Sequence, residues 1–168
     1  LGAMSEAHAH IVHLTSGRGF DLVENYRRDG YRATGELCIH YLWFDPDLDG
    51  ARLGARMKVN PPIRPGQIEA LWQAVVEERV AFVSSDHSSW PVDNKLTPSI
   101  FDAGAGVPGL ETLLPAFFTG AARRGLDAAR LTAEMLSARP ARFFGLWPRK
   151  GGIVPGADAD LVVLSPRP

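Results

Sequence analysis

Three polar residues lie at or just past the expected carboxyl ends of parallel strands, and their side chains suit a metal site. They are His13, His40 and Asp86. Ligands bind at this edge in open and closed α/β sheets. Two neutral imidazoles and a carboxylate offer the nitrogen and oxygen donors that Zn²⁺ and similar divalent metals accept. Spacing alone leaves another interpretation open, because a histidine at a strand end is often a packed or capped residue.

Two further histidines and the single cysteine are weaker candidates. His8 and His10 form a His-x-His pair, but in a strand they share one face while His13 points to the other. We therefore do not expect all three to bind one ion. Cys38 lies two residues before His40, which permits a catalytic Cys-His pair. We favour a buried structural thiol at this position.

A long loop is predicted over residues 88–107, and loops of this length in compact domains usually carry function. Residues 104–109 at its end satisfy the letters of the dinucleotide-binding fingerprint. That fingerprint needs a preceding strand, and Pro98 interrupts the approach. We therefore do not predict a nucleotide site.

The elements that must position these residues alternate between strand-like and helix-like segments, which predicts βαβ units and a parallel sheet. Strands are predicted over residues 10–15, 31–38, 55–59, 80–85 and 159–164. Helices are predicted from about Phe20 to a stop at Asp29, and over residues 68–76, 109–124 and 128–138, with a short segment over 140–144. The helix over residues 68–76 has the clearest buried stripe, formed by Ile68, Leu71, Trp72, Val75 and Val76.

Composition limits the class of protein. The 168 residues suffice for one domain or part of a larger one, and 45% of them are hydrophobic. Eighteen basic and 19 acidic residues give a formal net charge of −1, without a basic run that would indicate nucleic-acid binding. A lone cysteine excludes an internal disulfide, and no apolar run reaches the roughly 20 residues of a membrane helix. We expect a reducing, cytoplasmic location.

Six segments, in the same order, resemble the cyclic amidohydrolases of the amidohydrolase superfamily, a group that includes dihydroorotase, allantoinase and hydantoinase/dihydropyrimidinase. Residues 10–16 and 36–42 resemble the fifth and sixth barrel strands, and residues 58–64 the seventh-strand loop. Residues 85–88 resemble the eighth-strand Asp-His motif, residues 106–112 the substrate loop, and residues 150–161 the return to a small β-sandwich. Ile39 and Ser89 depart from the family, which often has proline there.

The resemblance implies an α/β fold: the C-terminal half of a metal-dependent (β/α)8 TIM-like barrel over residues 1–148, then the beginning of the C-terminal part of a composite β-sandwich over residues 149–168. The family's first-strand His-x-His and its carboxylated fourth-strand lysine have no counterpart in this sequence. A complete barrel needs about 250 residues. We therefore expect a missing N-terminal barrel half to be needed for full activity, and we expect a homo-oligomer.

The resemblance also implies a function: hydrolysis of a cyclic amide C–N bond by a metal-activated water. His13, His40 and Asp86 would be metal ligands, with Asp86 also the proton shuttle. Asn60, His87 and the backbone at Ala105 would bind a cyclic amide or ureide, whose identity stays open. The expected cofactor is a divalent metal, Zn²⁺, binuclear in a complete barrel.

A non-catalytic amidohydrolase-like fragment or scaffold acting in protein assembly is the alternative function. Retention of three polar groups that need partners when buried argues against it.

Overall fold

Short parallel strands form the centre of the fold. The computed structural model describes residues 5–165. Strand β1 (Ala9–Ile11) pairs with β2 (Ala33–Gly35), and β3 (Leu37–Cys38) pairs with β4 (Val83–Ser84), both in parallel. Glu36 connects the two pairs, because its N–H donates to the Ile11 carbonyl and its own carbonyl accepts from the Leu14 N–H. The segment over residues 33–38 therefore lies between β1 and β4.

Helices follow the strands, as the alternating pattern predicts. They are α1 (Gly17–Arg28), α2 (Pro46–Leu53), α3 (Ile68–Val76), α4 (Leu110–Arg123), α5 (Ala128–Ala133) and α6 (Arg139–Phe143). Shorter 3₁₀ turns span Ile39–Leu42, Gly54–Met57 and Val92–Asn94, and a π-helical turn spans Glu134–Ala138. The predicted helices are confirmed, with the one over residues 128–138 divided into α5 and the π-helical turn. Among the described residues, no helix has the length and apolarity needed to cross a bilayer.

Helix α2 is absent from the sequence-based prediction, although its start carries a recognisable signal. The Asp45 carboxylate accepts from the Asp47 N–H at 2.9 Å, and Pro46 occupies the first helical position. Asp at the N-cap followed by proline is a favoured helix start. The same carboxylate also accepts from the Gly66 N–H at 2.5 Å, so it ties the helix start to a later loop.

Two predicted strands are wrong. Residues 55–59 lie largely in the 3₁₀ turn Gly54–Met57, and β3 pairs directly with β4 without a strand between them. The Lys58 carbonyl accepts from the Gly106 N–H instead of from a neighbouring strand. Residues 159–164 have no regular structure, and Val163 is 93% exposed. The described residues offer this last segment no strand to pair with.

The core lies between the strands and helices α3 and α4. Trp72 stacks on Phe117 with ring centroids 5.4 Å apart, and its indole N–H donates to the Leu42 carbonyl at 3.3 Å. Gly120 permits this packing, because a Cβ there would lie 2.5 Å from the Trp72 ring. The predicted buried stripe of α3 is confirmed at Leu71, Trp72 and Val75 and wrong at Val76, which is 44% exposed.

We expect Val75→Ala to lower the free energy of unfolding by about 2 kcal/mol, since it removes two buried methyl groups and leaves a cavity. Val75 is fully buried on α3. Val76→Ala is the matched control, because it makes the same change of helix propensity at an exposed position, and it should change stability by less than about 0.5 kcal/mol. Urea unfolding measures both variants. Equal losses would contradict the assignment of the core face of α3.

Candidate metal centre

His13 and Asp86 each follow a strand by two residues and face one another. His13 comes after β1 and Asp86 after β4, and His13 Nε2 lies 3.8 Å from Asp86 Oδ1. Both residues have left-handed backbone angles, with φ of 57° and 43°. Residues with a Cβ rarely adopt this region, and such strain concentrates at functional sites. The turns aim the two side chains at each other across the sheet edge.

Cys38 completes a compact group with these two residues. One ligand atom from each of His13, Cys38 and Asp86 lies within 4.8 Å of the other two. The thiol is 3.2 Å from His13 Nδ1 and 3.6 Å from Ser84 Oγ. Burial raises the pKa of Cys38 to about 12, partly offset by the contact with Ser84. The thiol is therefore protonated at neutral pH, which agrees with the interpretation of a buried thiol.

His40 lies outside that compact group, in the 3₁₀ turn Ile39–Leu42 directly after β3. Its side chain is only 3% exposed, and neither ring nitrogen has a hydrogen-bond partner among the described residues. Burial, and then repulsion from His13, lowers the pKa of His40 to about 4. The imidazole is therefore neutral at physiological pH with a free lone pair. Buried polar atoms without partners are rare, and a neutral imidazole of this kind fits a metal ligand.

The Glu36 carboxylate lies close to two of the histidines. One oxygen lies 3.3 Å from His13 Nδ1 and the other 3.6 Å from His10 Nε2. The Ser84 hydroxyl donates to the first oxygen at 3.1 Å. The hydrogen bond at His13 Nδ1 goes to Cys38 Sγ, and Glu36 Oε1 lies at nearly the same distance from that nitrogen. The side chain itself is buried, so it is held in place.

The expectation that His13 points away from His8 and His10 is wrong. His8 Nε2 and His10 Nδ1 both lie 2.8 Å from Thr34 Oγ1, so this pair does share a face. However, β1 ends at Ile11, and the left-handed turn at His13 brings its ring to the same Glu36 that His10 contacts. Strand alternation stops applying where the strand stops.

The three residues expected to contact substrate lie in loops, and their role there stays a prediction. Asn60 is exposed just after the 3₁₀ turn Gly54–Met57, in a loop held by the Tyr41 hydroxyl, which donates to the Pro61 carbonyl at 2.7 Å. The Ala105 carbonyl accepts from the Trp90 indole N–H at 3.0 Å.

His87 has a contact that sequence reasoning missed. Its Nδ1 accepts from the N–H groups of Gly109 and Leu110, at 3.1 and 3.2 Å, and so caps the start of α4. With Nδ1 an acceptor, Nε2 carries the proton and donates to Ser89 Oγ at 2.8 Å. Both ring nitrogens are thus occupied within the chain.

Comparison with known proteins finds close relatives. No protein-family model matches the sequence. An allantoinase of Rubrobacter xylanophilus is 48% identical over 159 residues, covering 94% of this chain and 34% of that protein. An allantoinase of Deinococcus radiodurans is 37% identical over 158 residues, covering 93% of this chain and 35% of that protein. The chain therefore spans about a third of the length of the curated relatives it matches.

Solved structures share the fold. L-hydantoinase (dihydropyrimidinase) from Arthrobacter aurescens superimposes with a TM-score of 0.87 at 31% identity, covering 94% of this chain and 35% of that one. Dihydroorotase from Saccharomyces cerevisiae superimposes with a TM-score of 0.70 at 20% identity over 83% of this chain and 38% of that one, a likeness of fold alone. The predicted α/β class is confirmed over the matched segment.

Proposed function

Because this chain belongs to the cyclic amidohydrolase group of the amidohydrolase superfamily, we propose that it supplies metal ligands and the proton shuttle for hydrolysis of a cyclic amide C–N bond. The observation that carries the proposal is the approach of His13 Nε2 to Asp86 Oδ1, 3.8 Å, at the carboxyl ends of two parallel-paired strands. The activity is proposed for the full-length gene product, since the matched relatives are much longer than this chain. In that product, these strands form part of a (β/α)8 barrel.

The donor set fits a divalent metal. His13, His40 and Asp86 would hold it, with two imidazole nitrogens and a carboxylate oxygen as donors. Support comes from His40, whose buried ring is neutral and whose two nitrogens find no hydrogen-bond partner within residues 5–165. Cys38 Sγ and the Glu36 carboxylate both lie beside His13 Nδ1, which leaves Nε2 on the side of Asp86. Zn²⁺ is the metal we propose, and a binuclear centre would need ligands beyond these three.

Asp86 moves the proton in this proposal. A divalent metal supplies Lewis acidity, which eases deprotonation of water and polarises the carbonyl. The Asp86 carboxylate accepts a proton as the water oxygen bonds to the carbonyl carbon. Asp86 then donates that proton to the ring nitrogen as the C–N bond breaks, which yields a carboxylic acid and a free nitrogen group on the opened chain. Its partial exposure, 29%, leaves room for substrate to reach it.

The substrate class we propose is a five-membered cyclic ureide. The relatives closest in sequence among those named above are allantoinases, and a solved neighbour is a hydantoinase. Asn60, His87 and the backbone at Ala105 are the proposed contacts to the ring. Because His87 already caps α4, a contact from it to substrate would require it to release Ser89 or the helix start.

Ring-opening assays test the proposal. We expect the purified full-length protein to open allantoin or a hydantoin, to lose this activity on treatment with a chelator, and to regain it with Zn²⁺ or another divalent cation. Product formation is followed by mass spectrometry and metal content by inductively coupled plasma mass spectrometry. A protein that binds no divalent metal and opens none of allantoin, hydantoin, dihydrouracil and dihydroorotate would overturn the proposal and favour the scaffold alternative.

A further inference from the structure

The side chain of Lys95 binds three main-chain carbonyls at once. Its ammonium donates to the carbonyl oxygens of Lys58 at 3.0 Å, Gly104 at 2.8 Å and Gly106 at 2.8 Å. An ammonium has three N–H donors, so all of them are used. Burial, and then the charge of Lys58, lowers the pKa of Lys95. All three partners are carbonyl oxygens, so the ammonium is held by carbonyl dipoles rather than by a carboxylate.

These three carbonyls belong to two separate segments that carry proposed substrate contacts. Lys58 lies two residues before Asn60, and Gly104 and Gly106 flank Ala105. The segments also touch directly, because the Gly106 N–H donates to the Lys58 carbonyl at 2.9 Å. Lys95 therefore lies at the junction between them.

In the segment around Ala105, residues 104–106, the backbone packs closely against neighbouring side chains. A Cβ at Gly104 would lie 2.4 Å from the Trp90 ring, and one at Gly106 would lie 2.5 Å from the Ser88 Cβ. Gly106 also has a φ of 138°, which residues with a Cβ rarely adopt. Trp90 additionally holds the Ala105 carbonyl. Consecutive carbonyls of residues 104–106 are thus each directed by a specific side chain.

We propose that Lys95 is a positioning residue for substrate binding, which holds the Asn60 segment and the Ala105 segment together as one surface. It acts through the backbone and contacts neither the metal ligands nor the reacting atoms. The role of Lys95 in substrate binding rests on the proposed function. The joining of the two segments rests on the observed contacts alone. Loss of the ammonium should therefore weaken substrate binding and leave the chemical step nearly intact.

Steady-state kinetics of the Lys95→Met variant of the full-length protein test the role of Lys95 in substrate binding. We expect KM to rise about 10- to 100-fold, as loss of charge-assisted hydrogen bonds predicts, while kcat changes by less than about threefold and metal content stays that of the wild type. Lys95→Arg should give a smaller rise in KM than Lys95→Met, because arginine keeps the charge and several N–H donors. KM should still rise, because a planar guanidinium cannot direct three donors from one nitrogen. Lys150→Met is the matched control, since Lys150 pairs with Asp158 and Asp160 at the surface, and its KM should not change.

Amide hydrogen exchange tests the joining of the segments without any need for activity. We expect exchange at Gly104 and Gly106 to speed up at least about tenfold in Lys95→Met, with helix α3 unchanged as proof that the variant is folded. Unchanged exchange at both glycines would overturn the inference, as would a fall in kcat accompanied by metal loss. If the wild-type protein opens no cyclic amide, the proposed function and the substrate role of Lys95 both fail, while the exchange result still decides whether Lys95 joins the two segments.

Discussion

Replacing Asp86 by asparagine should lower kcat for ring opening by about 10²- to 10⁴-fold, the range that a positioned general acid and base contributes. Asparagine keeps the size of the side chain and one oxygen toward His13, but its amide cannot accept and return a proton. The left-handed turn at Asp86 tolerates the exchange, because asparagine adopts positive φ as readily as aspartate. The fold should therefore survive, and the loss should appear in kcat.

Metal loss is the competing cause of a low kcat, since Asp86 is also a proposed ligand. The assay is therefore run across a range of added Zn²⁺, with metal content measured on the same samples. Asp93→Asn is the matched control, because Asp93 is an exposed aspartate in the nearby 3₁₀ turn Val92–Asn94, and its kcat should stay within about twofold of wild type. A fully loaded Asp86→Asn protein with wild-type kcat would rule out the proton-shuttle role.

Secondary structure was predictable wherever local pattern and tertiary packing agree. Helix α3 shows its apolar spacing plainly in the sequence, and its core face includes Leu71, Trp72 and Val75 as predicted. Residues 55–59 also look strand-like, but the loop that contains Lys58 bonds to Gly106 rather than to a strand. The pattern of these five residues cannot show whether their backbone bonds to a strand or to a loop, because the loop residue Gly106 lies far away in the chain.

The candidate site was predictable in its residue types and less so in its geometry. The rule that ligands gather at strand ends selected His13 and Asp86, and the structure brings these two together. No sequence signal predicts the left-handed backbone at these two residues. The approach of the His13 ring to Glu36 could therefore not be predicted. Glu36 and Cys38 are two residues apart, and this period-two spacing in a strand could have placed both on the site face.

Lys95 shows the limit of sequence reasoning. A lysine in a polar loop is normally a solvated surface charge, and nothing in the spacing of residues 88–107 distinguishes this one. Its role follows from three carbonyls that converge from residues 58, 104 and 106. Such convergence is a property of the folded backbone and leaves no local pattern in the sequence.

Replacing His40 by phenylalanine should lower the affinity for the divalent metal by more than about 100-fold, since even the partners behind metal ligands contribute 10- to 100-fold. The folding stability of the metal-free protein should not fall. His40 buries two ring nitrogens that have no hydrogen-bond partner in the described part of the chain. An apolar ring of similar shape removes that penalty while keeping the edge contact with Tyr41, whose ring centroid is 4.2 Å away. We therefore expect the metal-free variant to match or exceed the stability of the metal-free wild type.

Lower metal affinity together with unchanged or higher metal-free stability distinguishes a metal ligand from a structural histidine. Isothermal titration with Zn²⁺ gives the affinity, and urea unfolding at pH 7 of chelator-treated samples gives the stability. His8→Phe is the control, because His8 is an exposed histidine that contacts Thr34, and it should keep wild-type metal affinity. If His40→Phe kept its metal and lost stability, His40 would be a packing residue, and the metal would have to be held by His13 and Asp86 with donors other than His40.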